Sequence, residues 1–209
     1  MPRPSQHIDQ KLLAAGRALV AEKGFAALTV RAAALRAGVN PGMFHYHFKT
    51  KRVFKRRVLE AFYEDFFQRF TLAIQGRGPL ERLRESLRYL GRFAGTHRRV
   101  GFTLVQDALA GNQDTVNFIA KNFLRHIEII RGLAVEAQRA GELAPAPLPF
   151  VMTFLMCTVG LPSFLLEALR RSGARRPYGF PYSVVEKALF TETAIDRRVD
   201  AALRGLGAA

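Results

Sequence analysis

The chain has 209 residues, 49% hydrophobic and 11% aromatic, which excludes disordered and low-complexity classes and suffices for one or two packed domains. Lysine and arginine number 32 against 17 acidic residues, a formal charge of +15 that calls for a polyanionic partner: nucleic acid first, an anionic membrane surface second. A single cysteine, Cys157, excludes an intramolecular disulfide framework and fits a reducing compartment, and the residues after Met1 carry no apolar run of the secretory kind.

Ile8, Leu12, Ala15 and Leu19 fall on one helical stripe, which ends at Gly24. Thr29 caps a short second helix whose inner positions are Val30, Ala33, Ala34 and Ala37, small enough for another helix to come close. Gly38 supplies a left-handed turn, Val39 an apolar plug, and Asn40-Pro41 a cap followed by proline at a helix start. The third helix spans about 41–46.

A long helix over about 50–74 turns Phe54, Val58, Ala61, Phe62, Phe66 and Phe70 toward a core, and Gly76 to Pro79 end it. Further helices are expected at about 80–94, 100–110, 114–140, 149–171 and 183–206. The one at 114–140 has Val116, Ile119, Phe123, Ile127 and Ile130 on one side. No period-2 strand pattern or hairpin turn is visible, so the chain reads as all-α with about nine helices.

The charge is uneven. Residues 1–60, Arg3 included, carry +9, and the rest carries +6 over more than twice the length. Thr29 to Phe48 has two short helices joined by a tight glycine turn, the spacing of a DNA-binding helix-turn-helix. Lys49, Lys51 and Arg52 then crowd the next helix start, where the macrodipole disfavours each cation by roughly 0.3–1 kcal/mol. Lys55, Arg56 and Arg57 extend the run. A DNA phosphate offsets that cost.

Gly24, Thr29, Ala34, Ala37, Gly38, Val39, Asn40, Gly42, Phe44, His47, Phe48 and Lys51 together resemble the DNA-binding domain of the TetR family of bacterial regulators. The resemblance covers about the first 55 residues. Beyond that only length and helix count are similar. It implies that Thr29, Arg31 and Lys51 contact phosphates, with Thr29 also capping its helix. Asn40 would begin the recognition helix, and Pro41, Gly42, Met43 and Tyr46 would face base edges. His47 would lie near the backbone, and Phe44 and Phe48 would pack inward. His45 stands where the family usually has Tyr and can still reach a phosphate. Met43, usually a small polar residue, offers apolar contact such as with a thymine methyl, and Arg52 replaces a common acid. These departures bear on the operator sequence.

The implied division is a three-helix DNA-binding domain at 1–54 and a helical effector-binding and dimerisation domain at 55–209. Aromatic and isolated polar residues on apolar helices are the pocket candidates: Phe93, His97, Phe102, Gln106, Phe118, Phe123, His126, Met152 and Met156. The competing reading of each is core packing. Leu148 to Leu166 is nineteen residues without a charge, near the length of a membrane span. Pro149, Pro162, Gly160 and the polar Thr153, Thr158 and Ser163 favour instead a helix buried all round, between its own domain and a second subunit. The resemblance places the dimer interface on the last two helices, with Phe154, Leu161, Leu165, Val185 and Leu189 as candidates.

His97 and His126 lack metal-ligand spacing, Cys157 reads as a buried inert thiol, and no catalytic or nucleotide-binding motif is present. No metal, cofactor or catalytic residue is expected. The reading is a cytoplasmic homodimer that binds a palindromic double-stranded operator and is released by a small lipophilic effector. That makes it a repressor, with a ligand-responsive activator as the near alternative. The rivals from other classes are a basic membrane-surface protein and an unusual helical enzyme.

Overall fold

The computed structural model describes residues 7–208, so Arg3 of the basic segment lies outside it. Among the described residues there are ten α-helices and no strand. They are α1 (Ile8–Lys23), α2 (Val30–Ala37), α3 (Gly42–His47), α4 (Lys51–Ala73), α5 (Pro79–Thr96), α6 (Arg98–Leu109), α7 (Gln113–Arg139), α8 (Leu148–Arg171), α9 (Tyr182–Phe190) and α10 (Glu192–Gly205). Short 3-10 turns lie at Phe25–Ala27 and Pro177–Gly179. Packing divides the chain between Phe66 and Phe67, so α4 contributes to both units.

In the first unit α1 packs on both α2 and α3. The α2 alanines Ala33 and Ala34 are fully buried, which lets the helices approach closely. Phe44, Phe48 and Phe54 close the core with ring centres 4.9–5.5 Å apart, and all three are fully buried. Burying large rings of this kind contributes roughly 1.5–3 kcal/mol each. On the rim, the Arg36 guanidinium donates to both carboxylate oxygens of Glu22, at 2.6 and 2.7 Å, tying α2 to α1. Along α4, Phe54, Val58, Phe66 and Phe70 are buried as the spacing predicts, while Phe62 is half-buried and Leu59 and Tyr63 turn inward.

In the second unit α5 packs against α7, α8 and α10. Two buried glycines permit this: a Cβ on Gly91 would stand 2.9 Å from Ile195 of α10, and one on Gly95 would stand 2.9 Å from Phe190 of α9. Along the same seam Arg88 pairs with Asp200 at 3.1 Å and Arg92 with Asp196 at 3.0 Å. Arg98 and Arg170 share Glu186. Asp196, Asp200 and Glu186 are thus paired between helices.

Four expectations need correction. The helix expected at 183–206 is two helices. Thr191 is extended, its Oγ1 accepts from the Ala194 N–H at 3.3 Å and caps α10, and Arg198 donates to the Leu189 carbonyl at the end of α9. The buried stripe of α7 is rotated by about one residue from the one expected. Thr115, Phe118, Asn122, His126, Ile130, Leu133 and Ala137 face in, while Val116 is exposed and Ile119, Phe123 and Ile127 are half-buried. The inward polar groups are accommodated: Asn122 donates to the Phe118 carbonyl of its own helix at 2.9 Å, and the His126 ring meets Phe70 edge-on. Third, α8 is not buried all round. It is the one helix among the described residues long and apolar enough to cross a membrane, and 22% of its most apolar window is buried. Fourth, Cys157 lies on the open side of α8 and is exposed.

Candidate functional site

The turn between α2 and α3 is built as the residues dictate. Thr29 Oγ1 accepts from the Ala32 N–H at 3.0 Å and starts α2. Gly38 sits at φ 64°, ψ 35°, where a side chain would strain the backbone, and its N–H closes the last turn of α2. Asn40 Oδ1 then accepts from the Gly42 N–H at 2.8 Å. A Cβ on Gly42 would stand 3.2 Å from that oxygen, so the glycine leaves room for the turn.

The face of α3 opposite Phe44 and Phe48 points outward. Tyr46 is 80% exposed, a large aromatic surface turned to water on a six-residue helix. His45, Asn40, Pro41 and Gly42 are exposed, and Met43 and His47 are half-buried. The Nε2 atom of His47 is buried without a hydrogen-bond partner. Thr29 and Arg31 lie exposed at the start of α2, and Lys51 at the start of α4. Leu35, 81% exposed on α2, was not singled out by the sequence.

Electrostatics mark the start of α4. Thr50 Oγ1 accepts from the Val53 N–H and caps it, yet no acid stands in the first turn. Four helices do supply one, Asp9 on α1, Glu81 on α5, Asp114 on α7 and Glu192 on α10, whereas α2, α3, α6, α8 and α9 do not. The α5 start also gives its Leu80 N–H to Glu142 at 2.8 Å. At α4 the exposed Lys49, Lys51 and Arg52 occupy that position, which suits an anion from outside the chain.

The pocket candidates of the second unit fall into three groups. Phe118, Phe123 and His126 form an aromatic cluster on α7, which Phe70 joins, with ring centres 5.7–6.0 Å apart. Burial lowers the His126 pKa to about 4. Phe93 and His97 meet at 4.5 Å at the end of α5. On α6, Arg171 takes both of the remaining polar and aromatic candidates: its guanidinium lies 4.7 Å from the Phe102 ring centre and donates to Gln106 at 2.9 Å. Met152 and Met156 are half-buried on α8.

Of the dimer candidates, Phe154, Leu161 and Leu165 are exposed on α8 and Leu189 is half-buried. Val185 is corrected: it is 5% exposed and packs within its own chain, while its neighbour Val184 is 49% exposed. A shallow apolar hollow of about 310 Å³ lies beside it, lined by Tyr178, Phe180, Val184, Val185, Ala188 and Leu189.

Residues 12–54 match the family model of bacterial regulatory proteins, tetR family. No curated protein matches the chain. Solved structures of the same fold include the ketosteroid transcriptional regulator KstR2 of Mycobacterium tuberculosis, 20% identical over 98% of this chain and 96% of that one, with a TM-score of 0.62. A transcriptional regulator FadR from Bacillus subtilis, in complex with stearoyl-CoA, is 16% identical over 94% and 98%, with a TM-score of 0.64. A bacterial regulatory protein in the tetR family from Rhodococcus RHA1 is 18% identical over 98% and 100%, with a TM-score of 0.63. At these identities the likeness is one of fold.

Proposed function

We propose, from a chain whose residues 12–54 form the helix-turn-helix of the tetR family of bacterial regulatory proteins, that the protein is a cytoplasmic homodimeric repressor released from a palindromic operator by a small lipophilic effector. DNA binding would reside in residues 1–54, and effector binding and dimerisation in 55–209. One observation carries the reading: an outward-facing α3, with Tyr46 80% exposed, is followed by a helix start that carries exposed cations and no acid.

In this mechanism α3 enters the major groove. Pro41, Gly42, Met43 and Tyr46 face base edges, with Met43 supplying apolar contact. Thr29, Arg31, His45, His47 and Lys51 hold the phosphates, which fix register without reading sequence. Two copies read half-sites about one helical turn apart, roughly 34–36 Å. The effector releases DNA by its differential affinity for the two states of the dimer.

Selection from a random duplex pool tests the reading. The expected product is an inverted repeat whose half-sites are centred one turn apart. Enrichment of no sequence, together with binding of anionic vesicles, would favour the membrane-surface alternative.

A further inference from the structure

The inward side of α8 carries two polar groups that the fold leaves unmet. Val151, Leu155, Val159, Ser163, Leu166 and Glu167 form its buried stripe, which packs toward α5, α6, α7 and α10 and faces away from the exposed Phe154, Leu161 and Leu165. Ser163 is 2% exposed and Glu167 is 4% exposed. One turn apart, they share a face. The Ser163 hydroxyl and the Glu167 Oε2 atom have no hydrogen-bond partner.

Of the buried side-chain atoms without a hydrogen-bond partner among the described residues, these two are the oxygens and the others are nitrogens. The hydroxyls of Ser86, Thr103 and Thr158 each donate back to a carbonyl of their own helix, at 2.7–2.9 Å, and Ser163 does not. Glu167 does have a cationic neighbour, but Arg171 reaches only Oε1, at 3.1 Å. The rest of that guanidinium is directed outward to Gln106 and Thr103 on α6. The second oxygen therefore points into the bundle, desolvated and available as an acceptor. Buried carboxylate and hydroxyl oxygens without partners are uncommon in native proteins, and a ligand group that donates to them is one way such sites are completed.

We propose that Ser163 and Glu167 form the polar end of the effector site. They accept hydrogen bonds from the head group of a molecule that is apolar along its body and carries an N–H or O–H donor. An ammonium head is the best fit, since it can donate to both oxygens and neutralises the carboxylate. The proposal rests on the reading of the protein as an effector-released regulator. It runs against the chain's overall charge of +15, which on its own attracts anions. A preference for amines would therefore be local.

Three probes with similar alkyl bodies test it: octylamine, octanol and nonanoate, each titrated calorimetrically below its micelle concentration into the full chain. The expected order places octylamine about tenfold tighter than the other two. Glu167→Gln, which keeps an acceptor for Arg171, should erase that preference. Ser163→Ala should weaken the amine and the alcohol alike while leaving the melting temperature unchanged or raised. No binding of octylamine, nonanoate bound as tightly as the amine, or an amine preference that survives Glu167→Gln would each overturn the proposal, the last because the preference would then arise elsewhere than at Glu167. Parallel binding of probe-free protein to its selected operator separates the two readings. Failure there sinks the regulator, whereas operator binding with the wrong head-group order sinks only this site.

Discussion

A methyl group on Gly16 would stand 2.6 Å from Cγ2 of Val58, so α1 meets α4 at a separation that only glycine permits at that position. The same methyl would also lie 3.1 Å from the Phe54 ring and 3.3 Å from Leu28, both fully or nearly fully buried. The α1 helix in turn supports α2 and α3. A glycine inside a helix costs about 1 kcal/mol relative to alanine. Here that cost is offset by the close packing that orders the first unit.

Gly16→Val should therefore destabilise the first unit by about 1–3 kcal/mol, because the clash with Val58 exceeds any gain in helix propensity. Chemical denaturation followed by circular dichroism measures it. An unchanged midpoint would mean that α1 and α4 stand farther apart than the structure has them.

The residues proposed to face DNA separate into two kinds by what their loss should change. Lys51→Ala removes a phosphate partner at the α4 start, so affinity should fall for every duplex and the slope of log affinity against log salt should drop by about one. Tyr46→Ala removes an exposed aromatic from α3 and should alter which bases are preferred, with the salt slope unchanged. Fluorescence anisotropy on operator and random duplex over a salt series distinguishes them. Equal behaviour of both variants and the parent on both duplexes would remove α3 from the interface.

His126 gives a pH signature. Its folded pKa of about 4 lies below the ordinary value of 6.5 because burial penalises the charged ring. Between these values the unfolded chain binds the proton that the folded chain refuses. Stability contributed by the neutral ring is thus complete above pH 6.5 and is lost as pH falls toward 4, by up to roughly 3 kcal/mol. Carboxylates titrate in the same window, so the informative quantity is a difference. His126→Gln should lose less stability than the parent between pH 6.5 and pH 4 in urea melts, and parallel curves would show that the ring titrates normally.

Local chemistry made the first unit legible. The Thr29 cap, the left-handed Gly38 and the Asn40 turn each follow from interactions within three or four residues, and the structure keeps all three. The second unit depends on partners distant in sequence. The phase of α7 turns Asn122 and His126 inward and leaves Val116 exposed, which the apolar periodicity of the helix does not show. The break at Thr191 is stabilised by Arg198 from the following helix, although Thr191-Glu192-Thr193-Ala194 has the look of a helix start. Ser163 and Glu167 could not be singled out from sequence, because being unpartnered is a property of three-dimensional packing. The only local hint is a serine and an acid four residues apart on an apolar stripe.

The open side of α8 supplies the last expectation. Phe150, Phe154, Leu161 and Leu165 are 38–57% exposed, and Phe150 stacks on Phe154 with ring centres 6.1 Å apart. They recur at spacings of four and seven residues, so they lie on one side of the helix as an apolar strip of the kind that marks an interaction surface. A second copy of the chain packing there would cover it, and would also enclose the exposed Cys157. Leu161→Glu places a charge in the middle of that strip. It should convert a dimer to a monomer in light scattering without lowering helix content, since Leu161 is 54% exposed in the single chain. Operator affinity should then fall steeply, because two half-sites are no longer held by one molecule. A variant that remains dimeric would place the interface elsewhere, and a parent that needs detergent to stay in solution would point to lipid as the cover instead.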